Sequence, residues 1–184
     1  AQSGETQIYN LGNWPAPFGI VLVLDRLAAL MLLLTLTLAL AALAYATVTR
    51  VDERGAHFHV LFQLQSFGLN GAFLTGDVFN PFVFFEVLFL ASYGLLLHGS
   101  GAERTRAGLH YVVINIIGST LFLFAVGALY GTLGTLNIAD MALKVSEAPS
   151  ESNGLIAAAA LLLLIVFCLK AAMFPLYLWL PRAY

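Results

Sequence analysis

Two ionisable residues stand where ionisation is costly. Glu86 lies in "NPFVFFEVLFLASYGLLLHG", residues 80–99, and Lys170 in "FCLKAAMFPLYLWLPRAY", residues 167–184; both stretches are otherwise almost wholly apolar. Glu86 follows Asp77 by nine residues, which places it about 13 Å along a helix and near the middle of a roughly 30 Å hydrocarbon core. A charge at that depth costs at least about 2.5–3.5 kcal/mol, so the side chain must face a partner, the bundle interior or water. A carboxyl held beside a removable counter-charge is a proton carrier. The bland alternative is a protonated Glu that hydrogen-bonds between helices as glue. Counted from Gly154, Lys170 sits about 24 Å along its own helix, and its alternative is to snorkel to the headgroups.

Pro175 is expected to break the helix beside Lys170, because its ring displaces the Ala171 carbonyl. Such breaks are tolerated where they border protein or a hydrated cavity. Tyr177 follows Lys170 by seven residues and would share its face in an unbroken helix. Gln63, Ser66 and Asn70 recur at helical spacing, Asn115 and Ser119 are four apart, and Tyr93 is seven from Glu86. These polar residues suit a hydrogen-bonded water file, or equally interhelical bonds. His57, His59, His98 and His110 fall at predicted span ends, where they would relay protons, sense pH or simply line the interface. "HFH" alone is too small a ligand set for a metal. Cys168 reads as a small buried hydrophobe, and "GALYG", 127–131, as a helix-packing pattern.

These residues need elements to hold them at depth. Apolar residues make up 60% of the 184 and charged ones 10%, against about a quarter charged in a soluble domain; bilayer is therefore the main solvent. The net charge of −2 gives nucleic acid no basic footprint. No nucleophile–base set, nucleotide loop or cofactor ligand set is present, so neither an enzyme nor a cofactor is expected. The fold class is all-α, a polytopic membrane protein with about five spans at 20–48, 58–76, 79–98, 108–132 and 154–178. For the first, Asp25 and Arg26 mark either a tilted span or its water-facing start. Strand-like alternation is lacking, which excludes a barrel.

Arg50, Arg54, Arg104, Arg106 and Arg182 fall on one side if the spans alternate, so that side is cytoplasmic, with the start of the chain outside and its final residues inside. The loop 133–153 is expected to carry a short amphipathic helix on the outer surface. The sequence reads as a single membrane domain, 1–184, from a larger protein.

"FQLQSFGLNGAFLTGDVFNPFVFFEVLFLASYGLLLHG" followed by "KAAMFPLYLWLPRAY" resembles the D-type subunits of the Mrp (Pha) multisubunit cation/proton antiporters, which are similar to the antiporter-like, proton-pumping membrane subunits of respiratory complex I. The resemblance covers all five stretches. It implies proton transfer through Glu86 and Lys170, exchange against Na+ or K+, and partner subunits in the cell's inner membrane. It also implies an inverted-repeat fold whose last helix here is broken near Pro175. Tyr177, Arg182 and Tyr184 fit the D-type pattern better than the complex I one. Pro81 stands where relatives commonly have Leu, and is acceptable in a helix's first turn. The rivals are a proton-pumping subunit of a complex I-like oxidoreductase or membrane hydrogenase, and a non-transporting scaffold.

Overall fold

A computed structural model describes residues 4–15, 17–99 and 101–183, with the side chain of Arg182 excepted. Helices occupy all five predicted stretches: α1 (Arg26–Val48), α2 (Phe58–Leu74), α3 (Asn80–Leu96), α4 (Ala102–Leu133) and, after a short α5 (Ile138–Glu147), α6 (Asn153–Lys170). Three are long and apolar enough to cross a bilayer: α1, α4, and α6 with the turn leading into it. The apolar α3, at 17 residues, is slightly shorter than that. α5 falls in the predicted loop and packs Met141 against Leu129, Leu133, Ile156 and Ala159.

Two helix starts differ from expectation. Val21–Leu24, read as the start of the first span, forms strand β2, paired antiparallel with β1 (Gln7–Asn10). A four-residue apolar run carries no periodicity that separates strand from helix. Asp25 then ends the strand and caps α1, its carboxylate accepting the Ala28 N–H at 2.7 Å. α4 starts six residues earlier than predicted, at Ala102, because its polar first turns extend the helix beyond the apolar stretch.

Glycines set how closely α2 and α3 approach. A Cβ at Gly68 would lie 2.7 Å from the Phe84 carbonyl oxygen, and one at Gly71 would overlap the Phe84 ring. α4 is central: its buried residues join three clusters, around Leu129 and Ile156, around Phe89, Tyr111 and Trp179, and around Phe122 and Val166.

The two ends of the bundle are tied differently. At one end three chain segments share backbone bonds. Gly76 N–H donates to the Val21 carbonyl at 2.7 Å, Val78 N–H to that of Leu136 at 2.8 Å, and Ile138 N–H to that of Gly76 at 3.0 Å. Asp77, 7% exposed, accepts the Asn80 N–H at 2.7 Å where α3 begins. Burial pushes its pKa above the ordinary 3.8, against the opposing pull of the Asn80, Phe79 and Val21 backbone bonds. At the other end His98 Nε2 donates to the Val51 carbonyl at 2.8 Å, the Arg104 guanidinium donates to the His98 carbonyl, and His59 pairs with Asp52 at 3.0 Å.

The packing of α2 on α3 and the burial of Asp77 can each be checked by one substitution. Gly71→Val forces the Phe84 ring away and should lower the midpoint of thermal unfolding in detergent, with overpacking costing about 1–3 kcal/mol. Asp77→Asn keeps the cap but removes the charge. A raised carboxyl pKa makes the native contribution greatest below about pH 3.8 and diminishes it as pH rises through the raised value. The Asn variant should therefore gain stability relative to the native protein as pH goes from acidic to neutral, read from unfolding midpoints across that range.

Candidate functional site

Glu86, Ser119 and Lys170 come from three different helices and meet at one hydroxyl. The Ser119 hydroxyl donates to Glu86 Oε1 at 2.5 Å and accepts from Lys170 Nζ at 3.2 Å. Asn115, one turn away on α4, also accepts from Nζ, through Oδ1 at 3.5 Å, and donates from Nδ2 to the Tyr111 carbonyl at 2.9 Å. The second bond orients the amide so that its oxygen faces the lysine. Nζ also stands 3.8 Å from the centroid of the Phe89 ring, within range of a cation–π attraction. Gly118 leaves room for the lysine stem, since a Cβ there would lie 3.5 Å from Lys170 Cε and 3.1 Å from Leu169 Cδ2.

Glu86 and Lys170 do not touch directly; Ser119 stands between them. With unit charges joined through bonds of 2.5 and 3.2 Å to one hydroxyl and an effective dielectric near 20, their attraction is on the order of 3–4 kcal/mol. That suffices to bias where a proton rests, and is weak enough to be reversed by movement of either side chain.

Lys170 is the last residue of α6, not a residue within a longer kinked helix. The helix expected over 154–178 ends there, and the break lies at Ala171–Ala172, ahead of Pro175, with Ala172 at φ 51°. Proline restricts the residue before it, and here the tertiary structure stops the helix earlier still. Trp179, on the 3₁₀ turn Leu176–Trp179, donates its indole N–H to the Leu169 carbonyl at 3.0 Å. The same carbonyl accepts the Ala172 backbone N–H at 3.2 Å, so the indole adds a second bond at the helix end. The same end favours a cation, because the helix dipole is negative there.

Other expected site residues lie apart. Tyr93 packs in the aromatic cluster, 5.5 Å ring to ring from Tyr111. Tyr177 is exposed on the 3₁₀ turn, stacked on Phe174 at 6.1 Å, so the break removes it from the face it was expected to share with Lys170. Asn70 lines a separate cleft between α1 and α2 with Gln63, Ser66 and Thr35. His57 is exposed at the start of α2, His59 is held by Asp52, and His110 lines a groove with Glu103 and Arg106. Tyr184 lies outside the described residues. Phe89 and Trp179 were not singled out from the sequence. Phe89 is three residues from Glu86, so helical spacing marks its face, whereas nothing local marks Trp179.

Residues 75–184 match the family described as "NADH:quinone oxidoreductase/Mrp antiporter, TM". The chain belongs to this family. Within it, the chain is 59% identical over 177 residues to a probable K(+)/H(+) antiporter D-type subunit of Rhizobium meliloti, covering 96% of this chain and 33% of that protein. It is 46% identical over 184 residues to the D-type subunit of the Na(+)/H(+) antiporter of Alkalihalophilus pseudofirmus, covering 100% and 37%. Among solved structures, a chain of the Mrp complex from Dietzia sp. superimposes with TM-score 0.84 at 35% identity, covering 99% of this chain and 34% of that one. A chain of the archaeal membrane-bound sulfane sulfur reductase gives 0.82 at 30%, covering 100% and 37%. The chain thus spans about a third of the length of these relatives.

Trp179→Phe keeps the ring and deletes the donor to Leu169. It should cost about 1 kcal/mol and loosen the chain after Lys170, seen as faster amide hydrogen exchange over residues 171–176 with α1 unaffected.

Proposed function

We propose that this chain carries a proton-transfer step of a multisubunit Na+(K+)/H+ antiporter, within its D-type subunit. The observation that supports it is the single Ser119 hydroxyl bonded to both Glu86 and Lys170. In one direction the ammonium gives a proton to Ser119 Oγ while the Ser119 proton passes to Glu86. Lys170 becomes a neutral amine, Glu86 a neutral acid, and the hydroxyl is left with its dipole reversed. The reverse transfer restores both charges. Relay through a positioned hydroxyl needs no large motion, and Asn115 and the Phe89 face hold the ammonium for it. Cation exit would be driven by this proton movement through sites elsewhere in the assembly. The identities to two D-type antiporter subunits favour this reading over a complex I-like pump.

The same reading puts the Arg104 end in the cytoplasm and the Asp77 end outside, in the cell's inner membrane, with other antiporter subunits as partners.

Cation-induced collapse of a pH gradient in everted vesicles from cells expressing the native protein tests it. Glu86→Gln and Lys170→Ala should reduce antiport to background with assembly intact. Ser119→Ala should lower it by about 100-fold, the scale of a positioned proton-transfer group, and Ser119→Thr should restore most of it. Full antiport in Ser119→Ala would sink the relay, and full antiport in Glu86→Gln would leave the chain a scaffold.

A further inference from the structure

The polar first turns of α4 hold two opposite charges that do not meet. Glu103 and Arg106 are three residues apart, the spacing at which such side chains normally pair on a helix. Among the described residues neither side chain makes an ion pair or a hydrogen bond. Both line a groove of about 580 Å³, together with His110 one turn below Arg106. The His110 ring is likewise without a hydrogen-bond partner among the described residues. Arg104, the other cation of these turns, points elsewhere and donates to the His98 carbonyl.

Below this polar head the same stripe of α4 becomes apolar. Arg106, His110, Val113 and Ile117 follow one another at steps of four, three and four residues, so they share one face. Leu109, Val113 and Ile117 are exposed. Ile117 lines a second groove, of about 250 Å³ and almost wholly apolar, with Leu169, Pro175, Leu176 and Leu178, where the chain turns back after α6. From Arg106 to Ile117 is eleven residues of helix, about 16 Å. One leaflet of hydrocarbon is about 15 Å deep. The stripe therefore has a charged head at the membrane surface and an apolar tail one leaflet long.

We propose that this stripe binds a phospholipid with a primary-ammonium headgroup, of the phosphatidylethanolamine kind. The Arg106 guanidinium donates to the phosphate, whose oxygens suit its fork of N–H groups, and a His110 ring N–H adds a second donor. The headgroup ammonium donates to the Glu103 carboxylate, so the lipid fills the gap that separates the two protein charges. One acyl chain runs down past Leu109 and Val113 into the groove at Ile117, against the turn that follows Lys170. The same chemistry discriminates among headgroups. Choline has no N–H to give Glu103, and a glycerol headgroup brings a net negative charge beside that carboxylate with no cation to offset it. The site does not depend on proton transfer through Ser119.

The test is native mass spectrometry of the full-length protein, purified in detergent with the subunits that accompany it. The probes are phosphatidylethanolamine, phosphatidylglycerol and phosphatidylcholine with identical acyl chains, and soluble phosphoethanolamine. Phosphatidylethanolamine should be retained at one per copy, at least about tenfold more tightly than the other two, the scale of one charge-assisted hydrogen bond. Arg106→Ala should weaken it by at least about tenfold for the same reason, and Glu103→Ala should remove its advantage over phosphatidylcholine. Ile117→Trp fills the apolar groove and should weaken it with both charges in place, and phosphoethanolamine should not compete. Elution of each variant as the intact assembly separates lost binding from lost folding. Phosphatidylglycerol bound as tightly as phosphatidylethanolamine would overturn the zwitterionic headgroup. Unchanged binding in Ile117→Trp, or competition by phosphoethanolamine, would overturn the acyl-chain placement. Equal retention in Arg106→Ala would overturn the site, as would no retained phospholipid, the result expected where another membrane helix covers the stripe.

Discussion

A carboxylate and an ammonium cannot be left alone in lipid, and the arrangement here depends on that constraint. Glu86 on α3 and Lys170 at the end of α6 are both satisfied by α4, through Ser119 and Asn115. α4 is accordingly the helix around which the rest is packed. Its Gly118 admits the lysine stem, and its Tyr111 belongs to the aromatic cluster on the other side of Phe89. Replacing a direct ion pair by a shared hydroxyl has a physical consequence. The two charges still stabilise each other, but a chain of hydrogen bonds joins one to the other, and neither group is locked in place.

The end of α6 shows the same economy of parts. A helix that stopped in lipid without partners would leave open carbonyls in a medium with no water to bond them. Here the Leu169 carbonyl accepts both the Ala172 N–H and the indole of Trp179, which folds back onto it, and Lys170 places its charge at the negative end of the helix dipole. The break therefore does two things: it ends the helix without leaving that carbonyl open, and it sets the lysine where a cation is favoured. Both depend on the chain after Ala172 turning back against α4.

Position along the membrane normal is fixed at the two ends. The backbone bonds among residues 21, 76–78 and 136–138 hold the start of α3 at one end, and His98 holds its last turn to the loop after α1 at the other. Glu86 is thus fixed in depth by contacts that are themselves outside the apolar region. Between those ties the close approach of α2 and α3 at Gly68 and Gly71 restricts sliding, since any side chain there would meet Phe84 or Leu88.

The solvent, the helical class, the approximate helix positions and the two ionisable residues that needed an explanation were all legible in the chain of residues. They follow from composition and from the cost of a charge in hydrocarbon, which are local properties. Ser119 and Asn115 were legible as a pair one turn apart, though not as the bridge between Glu86 and Lys170, because the three helices are brought together only by packing. The strand at 21–24 and the stop at Lys170 were likewise not legible. A short apolar run suits either strand or helix, and the residue that secures the α6 terminus, Trp179, stands ten positions beyond the carbonyl it bonds. Which polar groups meet was left to the packed fold, because hydrogen bonds between helices depend on rotation and depth that no single helix's sequence sets.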